Sequence, residues 1–413
     1  MLFRLSPGET LDLKYAELQI SEIGLSFRAG LVLAINFIVA FPAGSFRISL
    51  VRIFQNCRYY PSLRPKFREL TRNSSSYADH IDAFLRFRQN AAHILLPVDR
   101  RVESAFFTNG DDLHVQKIWA SEHGLKPRAS LADILRAQIE EHRTDVFYNM
   151  DTAGWGSDFL ATLPGCVKHV IGWHASPFQG VSFSGYDLVV CNFPSILSTL
   201  EKAGCRTAYF SPAYDPELEP FAACRDRPVD VLFVGGYSRH HRQRASILEA
   251  VAGLAGEFNI VYHLDRSRLC RLAESPFGQF LPLARHRRPP AIRAVTRDPV
   301  FGRDYYGTLS AAKIVLNGSI DMAGADRGNM RCFEAMGGGA LLLSDEGNYP
   351  EGMTGGETMV TYHSPQHAVE QIRAFLSTPK QLEKIAKAGH EMISTRYSKE
   401  VQWKRFEALV ASI

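Results

Sequence analysis

The stretch DMAGADRGNMRCFEAMGGGALLLSD, residues 321–345, passes through three kinds of backbone in quick succession. A small, glycine-punctuated loop leads into a helical run, Asn329–Met336, that carries Arg331 and Glu334 among apolar neighbours. Gly337, Gly338 and Gly339 then let the chain turn sharply into Ala340–Leu343, an apolar run of strand length. Helix, glycine turn and buried strand in that order are the repeating step of an α/β unit with parallel strands.

The same alternation extends in both directions. Downstream, Met359–Tyr362 reads as a short strand, and from Pro365 the pattern is helical to the end. Upstream lie strands at Ala311–Leu316 and Phe258–His263, a helix over 242–254, and DVLFV at 230–234 running into Gly235 and Gly236. A second series precedes it: strands at His93–Val98, Asp145–Asn149, Val167–Trp173, Asp187–Asn192 and Arg206–Phe210, with helices over 131–143 and 194–203. Between the two series, Ser211–Pro228 holds four prolines and little periodicity, which suits a linker. Leu281–Arg303, with four prolines and six arginines, reads as a loop too proline-rich to be helical throughout. The expectation is two Rossmann-like, doubly wound domains facing a cleft. Region 1–90 is of uncertain structure, part of or appended to a first domain at 91–215. A second domain covers 216–397, and a helix over 398–413 can cross back to the first.

Composition narrows the class. With 413 residues, 46% hydrophobic and 22% charged, the chain is too long for a disulfide-stapled scaffold and too apolar for a disordered one. Seven scattered cysteines never form a CxxC pair, so a reducing, cytoplasmic setting is expected. The longest apolar run, Leu31–Ala43, is shorter than the roughly 20 residues that span a bilayer. Net charge is only +4, which argues against a nucleic-acid partner, although arginine outnumbers lysine 35 to 12. Two basic segments stand out, 47–72 with its interleaved aromatics and 281–303. The first is a candidate for peripheral contact with the inner membrane face, against the plainer reading of a solvated surface.

In open α/β sheets ligands bind beyond the carboxyl ends of the strands. Gly235 and Gly236 sit at such an end, and Arg239, His240, His241, Arg242 and Arg244 crowd the helix start that follows. Cations there oppose the helix dipole, so they ask for an anionic partner such as a phosphate, or for free solvation. Glu334, on the first turns of its helix, can accept both hydroxyls of a ribose, and Asp326 can reach a second polyol. The alternative is a Glu334–Arg331 salt bridge and glycines that merely pack tightly.

Asp304–Val401 resembles the C-terminal half of GT-B glycosyltransferases, in particular the group related to the spore-maturation protein CgeB. The resemblance rests on DYYGTLSAAKIVLNGS (304–319), NMRCFEAMGGGALLLSD (329–345), VTYHSPQHAVEQI (360–372) and HEMISTRYS (390–398), with DVLFVGGYSRHHRQR (230–244) similar to the opening of that domain. It implies a nucleotide-sugar donor held by the second domain and reaction in the interdomain cleft without metal or other cofactor. Retaining members carry an E-x7-E motif. Glu334 matches its second, ribose-binding position, and Asp326 stands one methylene short at the first. Arg239 and Arg244 match a basic pair that faces the diphosphate. The nucleotide sugar is accordingly assigned Gly235, Gly236, Arg331, Glu334, Gly338 and Asn317, and catalysis Asp326, His174, Arg239 and Arg244. His174 ends the strand in GWHASP and could meet donor or acceptor, or simply cap that strand; Asp151 and glycines 154–156 are weaker acceptor-side candidates. The implied activity is transfer from a UDP- or GDP-sugar to a saccharide, lipid-linked or protein acceptor in glycan biosynthesis, with retention of configuration. An epimerase or hydrolase of the same fold, and an inactive binding scaffold, are the alternatives.

Overall fold

The computed structural model describes residues 51–58, 61–176, 180–238, 241–318 and 324–413. The apolar run at 31–43, part of the basic segment 47–72, and Arg239 lie outside the described residues. Residues 51–413 form one compact unit built on two six-stranded sheets, in which every adjacent pair is parallel. The first contains β1 Ile53–Asn56, β2 Ala105–Thr108, β3 Val146–Asn149, β4 His169–Trp173, β5 Leu188–Cys191 and β6 Thr207–Tyr209, in the order β2-β1-β3-β4-β5-β6. The second contains β7 Val229–Gly236, β8 Ile260–Asp265, β9 Thr296–Arg297, β10 Ala312–Leu316, β11 Leu341–Asp345 and β12 Val360–Tyr362, in the order β12-β11-β10-β7-β8-β9. Order reverses at β1/β3 in one sheet and at β7/β10 in the other. Such switch points open a crevice at the carboxyl ends of the strands.

Central strands buried on both faces read as continuous apolar runs, because crossover helices cover each side. Leu341–Asp345 is buried throughout, and Val231, Leu232, Ile314 and Val315 are almost fully enclosed. The first sheet departs from this rule. Its β1 is IFQN, with Gln55 and Asn56 buried beside Ile53 and Phe54. Asn56 donates to Asn149 Oδ1 at 2.9 Å and accepts from the Gly110 amide at 2.9 Å. Gln55 donates to the His93 carbonyl and accepts from the Leu95 amide.

That last pairing explains a correction. The strand expected at His93–Val98 is a single 3₁₀ turn, Ala91–His93, followed by a short helix, Leu96–Asp99. Pro97 sits in the helix's first turn, where its missing N–H costs nothing, whereas in a central strand it would break the ladder. Residues 53–90, unplaced in the sequence, supply β1 and the helices Arg64–Leu70 and Tyr77–Phe87. Leu281–Arg303 is also more ordered than a loop, since it holds the helix Pro290–Val295 and the edge strand β9.

The chain passes between the two sheets twice. From β6 it runs through Pro212–Pro228, which contains the short helix Glu219–Ala222, and Tyr214 donates its amide to the Tyr397 carbonyl at 2.6 Å. At the other end, Ser398 caps the helix Lys399–Ala411. This helix inserts Phe406, fully buried, among Tyr148, Trp173, Val190 and Phe210 of the first sheet's core. Among the described residues no helix is long and apolar enough to cross a membrane.

Candidate active site

A cavity of about 310 Å³ lies between the two sheets, beyond the carboxyl ends of β7 and β8. That is enough room for a small ligand. Its second-domain wall is made by Val234, Gly235 and Gly236 ending β7, and by His263 and Asp265 on β8. The helix Met330–Gly337 adds Met330, Arg331 and Glu334. Arg331 and Glu334, three residues apart, share one face of that helix. The helix is held in place from behind. Asn329 at its N-cap donates to Asn317 Oδ1 at 3.2 Å, and Gly339 follows its C-terminus with φ +70°. A side chain at Gly339 would also collide with the Ala222 carbonyl, 2.9 Å from an added Cβ.

Electrostatically this wall is unfinished. Burial pushes the Glu334 carboxyl up to about 7, although the Arg331 charge and the Tyr305 hydroxyl, donating at 3.0 Å, favour its ionised form. Arg331 lies over the Tyr305 ring, 5.6 Å from the centroid. Its Nε and Nη1 are buried and have no hydrogen-bond partner among the described residues. Gly235 packs beside this side chain, since an added Cβ would stand 3.9 Å from Arg331 Nη1 and 3.1 Å from the Phe233 ring. Donor nitrogens buried without acceptors are costly, so the cavity is built for something that accepts from them.

The opposite wall comes from the first domain, through Ser62, Arg88, Gln89 and Asn90. Arg88 and Asn90 both take positive φ, +65° and +57°. Arg88 is spent on protein partners: Nε and Nη2 grip both oxygens of Asp215, and Nη1 meets Asp99 at 2.5 Å. Burial alone would lift the Asp215 carboxyl, but Arg88 outweighs it and holds the group below its usual range. Tyr306 also donates to Asp215. Nearby, Lys399 donates to the Ala91 and Ile94 carbonyls, and burial pulls its ammonium down to about 8.

Of the residues singled out in the sequence, Gly235, Gly236, Arg331 and Glu334 meet at the cavity. Five others, Asp326, His174, Asn317, Gly338 and Arg244, do not line it. Asp326 crosses to the first domain and accepts from the Ser195 amide at 2.6 Å, capping the helix Pro194–Lys202. This interdomain cap is reinforced by Asn192 donating to the Gly328 carbonyl. His174, buried, bonds Thr152 Oγ1 at 2.8 Å, and burial lowers its pKa. Asn317 is used up by Ser344, Asn329 and the Tyr362 hydroxyl, and Gly338 packs on Leu309. Arg244 stands in the first turn of the helix Arg242–Ala252, its Cγ 3.7 Å from an added Cβ at Gly318. Asp151 is buried, accepts from the Gly154 amide at 3.1 Å, and has a pKa raised by burial. Tyr305 and the Arg88–Asn90 wall were not singled out. Tyr305 lies within DYYGT, so a signal existed for it; FRQN at 87–90 offers none.

Comparison with known proteins converges on the same domain. Residues 243–408 match the family model described as glycosyl transferase-like. No curated protein sequence matches the chain significantly. Among solved structures, Anabaena Alr3699/HepE in complex with UDP and glucose is similar with a TM-score of 0.55 and 13% identity, over 88% of this chain and 100% of that one. The same protein in complex with UDP-glucose gives 0.54 at 13% identity, over 87% and 99%. The second domain is thus similar in sequence to a glycosyl transferase-like family, and the two-domain fold as a whole is that of HepE.

Proposed function

We propose that the chain transfers a sugar from a UDP-sugar to a saccharide, lipid-linked or protein acceptor. The observation that carries this reading is the cavity wall, where Arg331, with two buried guanidinium nitrogens that lack a partner among the described residues, stands with Gly235 and Gly236 at a helix N-terminus. A diphosphate supplies the oxygens that such an arrangement lacks. HepE, of the same fold, holds UDP and UDP-glucose, which favours uridine as the nucleoside. Glu334 then receives the ribose hydroxyls, with Tyr305 orienting its carboxylate. When the C1–O bond to the diphosphate breaks and the acceptor oxygen bonds C1, negative charge develops on the leaving oxygen, and Arg331 on the cavity wall compensates it. Retention of anomeric configuration is the expected outcome.

Titration calorimetry with UDP tests the assignment. Replacing Arg331 by Met should weaken UDP binding by about 10–100-fold, the worth of one or two hydrogen bonds to a charged group. Equal affinity in the two proteins would remove Arg331 from the donor site, and no UDP binding by the parent chain would reject uridine.

A further inference from the structure

The connection from β8 to β9, residues 266–295, carries a surface that the transfer reaction does not use. Five of the large hydrophobic side chains that stand exposed in the described residues fall within thirteen positions: Leu269, Leu272, Phe277, Phe280 and Leu281. Phe277 and Phe280 are 79% and 82% exposed, more than any other large hydrophobic group described. Single exposed leucines are ordinary, but two bare phenylalanines beside three exposed leucines are not.

Charge is concentrated in the same place. Residues 266–297 hold eight arginines and one acid, Glu274, a surplus of seven in a chain whose whole surplus is four. That one acid is turned inward. Glu274 and Arg288 form a buried bidentate pair, Nε to Oε1 and Nη2 to Oε2 at 2.7 Å each. Arg268, Arg271, Arg285 and Arg293 are left exposed around the apolar groups.

The scaffold beneath is fixed. Arg287 donates to the Ala273 and Gly278 carbonyls at 3.1 Å, joining the two ends of the excursion. Gly278 lies so close to the helix Arg268–Ala273 that an added Cβ would stand 1.8 Å from the Leu272 carbonyl oxygen. The phenylalanines are thus presented by a built platform.

We propose that this platform docks the protein on an anionic lipid bilayer, with Phe277 and Phe280 entering the interfacial layer and the arginines meeting lipid phosphates. A folded acidic partner would have to offer a concavity shaped to two protruding rings. A bilayer asks only for apolar protrusions ringed by cations, and each basic group near an anionic surface adds to the attraction. The chain leaves the cavity wall at Asp265 and enters the platform at Arg266. Docking through this connection would hold at a membrane the domain that carries the cavity; a membrane-borne acceptor rests on the proposed transfer reaction, whereas the docking does not.

Co-sedimentation of the full chain with phosphatidylcholine vesicles, with and without phosphatidylglycerol, tests the proposal. Binding should require phosphatidylglycerol and weaken with salt. Replacing Phe277 and Phe280 by Ser should lower the vesicle affinity at least about tenfold, since two aromatic groups no longer leave water. UDP affinity and melting temperature should stay unchanged, because neither ring is packed. Replacing Arg68 and Arg72 by Glu, in the other basic segment, should leave vesicle binding intact. The proposal fails if the Phe277/Phe280 variant binds like the parent, if phosphatidylcholine alone suffices, or if the Arg68/Arg72 variant alone loses binding. It also fails if the phenylalanine variant changes only the oligomeric state, which would make the platform a contact between two copies.

Discussion

Two arginines face one cavity from opposite walls, and they differ in every respect but position. Arg88, on the first-domain wall, has all its nitrogens committed to Asp215, Asp99 and the Leu85 carbonyl. Arg331, on the second-domain wall, keeps Nε and Nη1 buried without a partner among the described residues. A guanidinium whose bonds close within the protein holds the walls at a set separation. One whose bonds stay open waits for an oxygen from outside. On the proposed function the first wall serves stability and the second ligand binding, a division that neither residue's charge alone would have shown.

The comparison breaks first at Arg88. Replacing it by Leu strands Asp215 and Asp99 without their cation, and should cost about 3–5 kcal/mol in chemical denaturation. A loss under 1 kcal/mol would mean that the network is not holding the domains.

Glu334 sharpens the other side. Its carboxyl, at about 7 in the folded chain, lies above its unfolded value, so the folded state binds more protons between about pH 4.5 and 7 and loses stability as pH rises through that window. Replacing Glu334 by Gln should raise stability at pH 8 by about 1–3 kcal/mol and change little at pH 4.5, while weakening UDP-sugar binding. Denaturation at the two pH values checks the sign. A variant destabilised at pH 8 would show that Glu334 belongs with Arg88 as a structural group.

The smallest effect is expected at Asp326. As a cap on the helix Pro194–Lys202, its replacement by Ala should cost about 1 kcal/mol. Donor affinity unchanged beside that loss would separate it from the sugar site, and a large drop in affinity with full stability would return it there.

The second domain was the more legible because its chemistry is local. Gly235 and Gly236 end an apolar strand, and Arg331 and Glu334 interrupt an otherwise apolar helix, so pattern and site coincide. The first domain hides its leading strand. Gln55 and Asn56 look unlike a buried strand until Asn149, Gly110, His93 and Leu95 supply their hydrogen bonds from far along the chain. HILLPV, the run with the right composition, carries Pro97 and folds into turns instead. The site candidates that do not line the cavity share one feature. A polar side chain in a glycine-rich loop looks the same whether its partner is a sugar or a backbone amide. Asp326 and Asn317 found the amide and the neighbouring side chains.

The two chain crossings lie side by side, stitched by the Tyr214 amide and the Tyr397 carbonyl and flanked by the Lys399 anchor. Domains joined by one strand can swivel in any direction, whereas a door hung on two adjacent pins swings about a single line. Two adjacent crossings leave the domains fewer directions of relative motion than a single crossing would.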